Sequence, residues 1–488
     1  MNKVILVGLD GFRPEIMAPS LTPHLCALAE AGVRFTHHRC QFPSETYVNL
    51  ASLMTGCPPG RHGIVANQFL DRRIDPREPW IGNRVDMIEA GVAAYDGGLI
   101  TAPTLGERLA QSGKRLWLFG GGSPGSARLK HPTVARYADH LLMVGQNWRA
   151  SIPQDTAAAI ASRLGEPPKP SPTTGKAATQ GYLADAFFLL AEEGPLPDVA
   201  VLWFGEPDNA FHTFGLGADE TLATLREVDA QLGRVVAWWR SHPEHERIQL
   251  IVTSDHGHIT QTQRVDTTQL LADAGFRTAP HLEDDADLAL VPGYCGNIRV
   301  RDGDPGRLRA AADALMAHPD VGMVFTRPGN GVEGLVPGSF SQTLIMVDHA
   351  RSADIVFTLR TEDEPDPFGY IGTCRYDNGL PAGVGYHGGL HPSEMTPLLV
   401  AAGSAFGVGR ESALPSAVMD ILPTVLALIG EPLDGIEGRV LTESFAEPAI
   451  AAEAVAQVHR VAQGTYAQEL QVTMLGDRAY LDHGRRVR

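Results

Sequence analysis

Asp10, Thr46, Asp208 with His212, Asp255 with His256, and His387 are the side chains of this sequence whose types and spacing suit chemistry. Asp10 ends the apolar run Lys3–Leu9, Asp208 and His212 follow the run Val199–Phe204, and Asp255-His256 closes residues 249–254 (QLIVTS). Each run reads as a buried parallel strand. Its carboxylate is then delivered at the C-terminal edge, where open α/β sheets collect ligands. One such carboxylate alone reads as a turn or a helix cap. The whole set, completed by His387 in Tyr386-His387-Gly388-Gly389, reads as a metal centre. Asp208 and His212, four apart, face one ion from a helical turn or a compact loop. The donors are nitrogen and oxygen without thiolate, which suits Zn²⁺ or Mn²⁺ in a hydrolytic site. Seven groups, counting Thr46, are too many for one tetrahedral ion and suitable for two.

Thr46 lies in the stretch 42–64 (FPSETYVNLASLMTGCPPGRHGI). Pro43-Ser44 opens a helix-like pattern through Tyr47, Leu50, Leu53 and Met54, which stops at Gly56 and Pro58-Pro59. A first-turn hydroxyl sits where unpaired N–H groups and the helix dipole favour an anion. It can attack phosphorus if its pKa is lowered. By itself the stretch reads as a helix capped by Ser44 or Thr46; the Asp and His residues elsewhere turn that reading towards a nucleophile.

The elements that must position these groups read as a large α/β domain with an insertion. Strands are expected at 115–119 and 397–402, and helices at 103–112, 181–192, 220–239 and 416–429. Residues 264–384 change to a β-α-β-β pattern (297–301, 308–317, 322–326, 342–349, 353–359) with acidic and glycine-rich loops, a small α+β cap. The layout expected is a catalytic domain of residues 1–263 and 385–445, a cap of 264–384, and a tail of 446–488. The tail reads as a helix near 449–462 and a hairpin at 471–481 turning at Gly476-Asp477.

The chain has 488 residues, 43% hydrophobic and 20% charged, as in an ordinary globular protein. Its net charge of −17 argues against a nucleic-acid polymer as partner. A small phosphate ester held by cations remains compatible with that charge. No apolar run approaches the roughly 20 residues of a membrane span, so no membrane partner is expected. Cys26, Cys40, Cys57, Cys295 and Cys374 are scattered, which fits free thiols in a cytoplasmic protein. A homo-oligomer is left open.

Several segments carry a family resemblance: LDGFRPE (9–15), FPSETYVN (42–49), LMTG (53–56), RHGIVAN (61–67), EPDNAFH (206–212), SDHGH (254–258) and YHGG (386–389). VMDILPTVLALIG (418–430) with GRVL (438–441) extends it. Through them the chain resembles the nucleotide pyrophosphatase/phosphodiesterase family of the alkaline phosphatase superfamily. The resemblance implies an alkaline-phosphatase-like doubly wound sheet flanked by helices. It also implies a two-metal hydrolase of phosphodiester or pyrophosphate bonds. Asp10, Thr46, Asp255 and His256 would hold one divalent ion, and Asp208, His212 and His387 the other. Thr46 would form a phosphothreonine, and Asn67 would donate to a non-bridging phosphoryl oxygen. Tyr47 matches an aromatic position beside the substrate and reads equally as core.

The sequence also departs from the family pattern. Phe211 stands where a small residue is common and Val48 where proline is common; Phe211 is expected to crowd or shape the pocket. His258 and His391 read as supporting rather than ligating. Cys57-Pro58-Pro59-Gly60-Arg61 fits a sulfatase pattern but follows Thr55-Gly56, whereas a sulfatase nucleophile precedes that dipeptide. A phosphonoacetate-hydrolase-like carbon–phosphorus hydrolase shares the core, but of its lysine pair only Lys130 is present. A phosphomonoesterase and a non-catalytic metal-binding protein are further alternatives. The cap loop 329–338 is a candidate for setting the leaving group.

Overall fold

The computed structural model describes residues 2–95, 98–171, 175–449 and 453–487. Its centre is an eight-stranded sheet whose middle strands are the apolar runs singled out above. Lys3–Leu9 lies between Val199–Phe204 and Ile248–Thr253 and is parallel to both. Leu116–Gly120 and Leu141–Val144 extend the sheet on one side in parallel. On the other, Leu399–Ala402 runs antiparallel beside Ile248–Thr253, followed by Val33–Phe35 and Arg410–Ser412.

Side chains alternate across a strand, and here both faces are covered, so the runs are apolar throughout. Val4, Leu6, Val201, Trp203 and Ile251 pack one face against Leu50, Leu53 and Met54 of helix Thr46–Thr55 and Ile421, Leu422 and Val425 of helix Ile421–Leu428. Ile5, Val7, Leu202, Leu250 and Val252 pack the other against helices Pro23–Ala31, Ala177–Glu193 and Asp219–Ser241.

The inserted region forms a second sheet in which Leu288–Val291, Cys295–Val300, Ile355–Leu359 and Val321–Thr326 are antiparallel neighbours. Helix Pro305–Ala317 packs on it through Leu308, Ala312 and Leu315. Two details differ from expectation. Residues 342–349 form turns rather than a strand: Val347 N–H returns to Gln342 O (3.2 Å), and the Gln342 amide donates to Ala353 O (2.9 Å). The expected limits at 263/264 and 384/385 also fall inside or beside one four-stranded sheet. In it Ile259–Arg264 pairs with Ile371–Tyr376 on one side and Gly385–Tyr386 on the other.

The tail is corrected as well. The expected helix near 449–462 is a strand, Ala454–Gln463, paired residue for residue with Tyr466–Leu475; residues 450–452 lie outside the described set. Its alanines favour a helix locally, but ten consecutive cross-strand pairs outweigh that preference. The expected hairpin is present, with Arg478–Arg486 as the third strand. The Gln468 amide donates to Val324 O (3.0 Å) and Gly338 O (2.9 Å), so the tail packs on the inserted sheet.

Candidate metal centre and nucleophile

Three adjacent strands bring the carboxylates together. Asp10 N–H donates to Phe204 O (3.0 Å) and Asp208 N–H to Asp10 O (3.0 Å), while Gly11 N–H donates to Asp255 Oδ1 (3.1 Å). Gly11 has φ +70°, and a Cβ on it would fall 2.7 Å from His258 Nε2, so this turn needs glycine. Asp208 opens helix Asp208–Phe214 and His212 follows one turn later, with Nε2 3.2 Å from Asp208 Oδ1.

Thr46 is the first residue of helix Thr46–Thr55, and its Oγ1 lies 3.1 Å from His256 Nε2. The turn before it is tied to His387, whose Nδ1 donates to Ser44 O (2.7 Å), while Gly388 N–H donates to Ser44 Oγ (2.9 Å). Asn67 is held from both ends. Its backbone N–H donates to Glu45 Oε2, and its Oδ1 accepts from Tyr47 N–H (2.8 Å). Its amide Nδ2 is the remaining donor, on a residue that lines the cavity.

Two donor groups result: Asp10, Asp255 and His256; and Asp208, His212, His258 and His387. In the first, each carboxylate has one oxygen engaged by protein. Asp10 Oδ2 accepts from Trp203 Nε1 (2.9 Å), and Asp255 Oδ1 from the N–H groups of Gly11 and His256. The other oxygens, Asp10 Oδ1 and Asp255 Oδ2, are buried without a hydrogen-bond partner among the described residues and lie 3.8 and 3.4 Å from His256 Nε2. Orphaned buried carboxylate oxygens converging on an imidazole are what a cation requires. In the second group, His212 and His387 present Nε2 at 3.2 and 3.5 Å from Asp208 Oδ1. The Nδ1 atoms of His212, His256 and His387 face the carbonyls of Gly385, Gly257 and Ser44. A carbonyl only accepts, so each Nδ1 carries the proton and each Nε2 offers a lone pair.

The electrostatics agree. Burial, then the neighbouring Asp255 and Asp208, pushes the Asp10 carboxyl well above its usual range. Burial raises Asp255 too. It opposes ionisation of Asp208 as well, but the His212 and His258 imidazoles outweigh it and hold that carboxyl low. Against three crowded carboxylates stands one buried ammonium, Lys130, whose charge bears on Asp10 and Asp255, and the remaining excess of negative charge fits cations.

A cavity of about 290 Å³ opens over Thr46, lined by Glu45, Tyr47, Asn67, Gln68, Asp208, His212, Tyr386, His387 and residues 291–295 of the inserted sheet. No lysine or arginine is among its lining residues. Arg13 is turned towards Glu15 (3.2 Å) and His258 O (3.2 Å), Arg72 pairs with Glu283 (2.8 Å), and Arg73 stacks on Tyr95. The inserted region thus contributes its 291–295 turn. The expected loop 329–338 instead meets the tail, where a Cβ on Gly338 would touch Gln463. Phe211, expected to shape the cavity, is fully buried against His258 and lines none of it.

Other sequence features do not line the cavity. Cys57 is buried past the far end of helix Thr46–Thr55, with Sγ against Thr55 O and Gly435 O. His391 pairs with Asp363 (3.1 Å). Lys130 is buried, its ammonium donating to Ser126 O (3.1 Å) and Oγ (3.3 Å) beside the Trp203 ring.

Two carboxylates escaped sequence reasoning. Glu394 is buried and accepts from Tyr294 O–H (2.6 Å) and from the N–H groups of Gly388 (3.0 Å), Gly389 (2.9 Å) and His391 (2.9 Å). Its signal was a capping pattern, His391-Pro392-Ser393-Glu394. Glu206 accepts from the N–H groups of Lys176 and Ala210 (both 2.9 Å), holding the turn that carries Asp208. Trp203 was legible only as core. Its signal was Gly8 across the sheet, where a Cβ would strike the indole at 2.0 Å.

The chain is similar in sequence and fold to known proteins. Residues 4–359 match the family model for type I phosphodiesterase / nucleotide pyrophosphatase. Venom phosphodiesterase 2 of Crotalus adamanteus is 24% identical over 258 residues, 52% of this chain and 27% of that protein. Human ectonucleotide pyrophosphatase/phosphodiesterase family member 7 is 26% identical over 281 residues, 54% of this chain and 49% of that protein. The matched stretch therefore spans about a quarter to a half of these relatives. Murine ectonucleotide pyrophosphatase/phosphodiesterase 5, solved in an inactive form with AMP, shares the fold. Its TM-score is 0.61 at 19% identity, covering 90% of this chain and 97% of the murine one.

Proposed function

The chain belongs to the type I phosphodiesterase / nucleotide pyrophosphatase family, and from that premise we propose that it is a two-metal hydrolase. It cleaves phosphodiester or pyrophosphate bonds of small substrates through a phosphothreonine at Thr46. The observation that carries the reading is the placement of Thr46 Oγ1. It lies 3.1 Å from His256 Nε2, at the mouth of a cavity lined by members of the second donor group. Asp10, Asp255, His256 and Thr46 hold one ion, and Asp208, His212 and His387 the other; nitrogen and oxygen donors favour zinc. Bound there, the cations neutralise phosphoryl charge and lower the hydroxyl pKa.

The chain's own residues do the rest. The start of helix Thr46–Thr55 holds Oγ1 at the cavity mouth beside His256 Nε2, whose one lone pair would go to the first ion and so does not take the hydroxyl proton. The hydroxyl proton passes to solvent as attack forms the Oγ1–P bond and breaks the bond to the leaving oxygen; the oxygen of water then bonds to phosphorus, the Oγ1–P bond breaks, and a proton returns to Oγ1. Asn67, its Oδ1 pinned by Tyr47 N–H, turns Nδ2 towards a non-bridging oxygen. Tyr47 and Tyr386 supply surface for the organic part of the substrate. The AMP of the murine relative supports a nucleotide-like group there.

A cavity without lysine or arginine and with Glu45 in its wall favours a diester over a monoester dianion. The carbon–phosphorus alternative has less support, because Lys130 is buried against Ser126 and absent from the lining. Five unpaired thiols support a reducing compartment, the cytoplasm. The test compares kcat/KM for a p-nitrophenyl phosphodiester, p-nitrophenyl phosphate and phosphonoacetate with the zinc-reconstituted protein. The diester is expected to lead by at least about tenfold, one decade being 1.4 kcal/mol of transition-state preference. A monoester lead leaves a phosphatase on the same core.

A further inference from the structure

His258 stands apart from the three other histidines of the cluster. Its side chain is fully buried, and its Nε2 lies 3.0 Å from Asp208 Oδ1. That distance resembles those of His212 and His387 to the same oxygen, 3.2 and 3.5 Å. By distance alone His258 is a fourth ligand, closing the second site with protein atoms.

The far side of the ring says otherwise. His212, His256 and His387 each set Nδ1 against a backbone carbonyl, which fixes the proton there and leaves Nε2 bare. The Nδ1 of His258 is buried with no partner among the described residues. A ligating Nε2 would force the proton onto that Nδ1 and leave a buried N–H unsatisfied. Orphaned donors are rarer than under-used acceptors. Among the described residues the ring's sole hydrogen-bond partner is a carboxylate oxygen, which accepts, so the proton belongs on Nε2. Phe211 closes the ring edge-on (4.9 Å, 60°), and the Gly11 turn leaves room for Nε2.

We propose that His258 is a positioning residue, donating from Nε2 to Asp208 and fixing the orientation in which that carboxylate meets the second ion. This rests on the metal-centre reading above. A ligand carboxylate held by a hydrogen bond outside the coordination sphere binds its ion more tightly than a freely rotating one.

The test titrates the metal-free protein with Co²⁺ alone, following bound metal per chain and the visible ligand-field spectrum, with no substrate present. Wild type is expected to bind two ions. His258→Met is expected to bind two as well, with the saturated spectrum unchanged and one dissociation constant raised roughly 10–100-fold. His258→Gln, whose amide N–H reaches a similar point, is expected to recover most of that loss and guards against a misfolded methionine variant. Unchanged affinities in both variants, or a single bound ion with an altered spectrum, would overturn the proposal, the latter making His258 a ligand. Failure of the wild type to bind Co²⁺ would instead sink the metal-centre reading itself.

Discussion

At Thr46 the chain places one hydroxyl within 3.1 Å of an imidazole whose other nitrogen is already committed to the Gly257 carbonyl. Thr46→Ala removes that oxygen and little volume. The expected result is a loss in kcat of on the order of 10³-fold or more, with the unfolding midpoint of the metal-free protein unchanged. Retention of a tenth of the rate would move the nucleophile elsewhere. Cys57 is the residue-scale control. It is buried beyond the last turn of a ten-residue helix, about 15 Å from Thr46, so Cys57→Ala should leave kcat/KM within about twofold. Loss of activity in a folded Cys57→Ala protein would revive the sulfatase-like reading.

At the scale of elements, two loops are clasped by one buried carboxylate. Glu394 gathers the Gly388, Gly389 and His391 N–H groups and the Tyr294 hydroxyl. The first three set the loop carrying His387, and Tyr294 belongs to the 291–295 turn that walls the cavity. Glu394→Ala leaves several buried donors unpaired at about 1–3 kcal/mol each. Urea denaturation should show a destabilisation of on the order of 3 kcal/mol or more. Metal uptake should weaken with it, because His387 loses its support. A loss below about 1 kcal/mol would mean that water replaces the carboxylate and that the clasp is dispensable.

For the molecule as a whole, the buried carboxylates make the folded state costly until cations arrive. Chelation should therefore lower the thermal midpoint by several degrees, and zinc should restore it, since ions that bind only the folded chain add stability by mass action. The gain from zinc should also shrink in acid. Burial raises the Asp255 carboxyl to about 7 and Asp10 well above its usual range, so in the metal-free protein their cost is full above about 7 and is relieved as they take up protons below it. Protons and cations then compete for the same oxygens. Calorimetry at pH 7 and pH 5 should show a smaller zinc-dependent rise in midpoint at pH 5; an equal or larger rise would show that these carboxylates do not hold the ions.

The sequence by itself determined the strand-end positions of Asp10 and Asp255. Strands buried on both faces must be apolar throughout, and the first polar residue then marks their edge. It determined the turn pairing Asp208 with His212, because helical spacing is local. It also determined the placement of Thr46 at a helix start. Only the tertiary structure decided which strands are neighbours, and so that three carboxylates share one site, because pairing between Lys3–Leu9 and strands some 200 residues away is non-local. The same holds for Glu394 and Trp203, whose partners lie in distant segments, and for the 291–295 turn as cavity wall. The strand Ala454–Gln463 was illegible for a related reason: its local preference is helical, and only its neighbour makes it extended. His258 was readable as a supporting residue beside Asp255-His256, but its partner, Asp208, was not. That contact arises only when the edges of two strands meet across Lys3–Leu9.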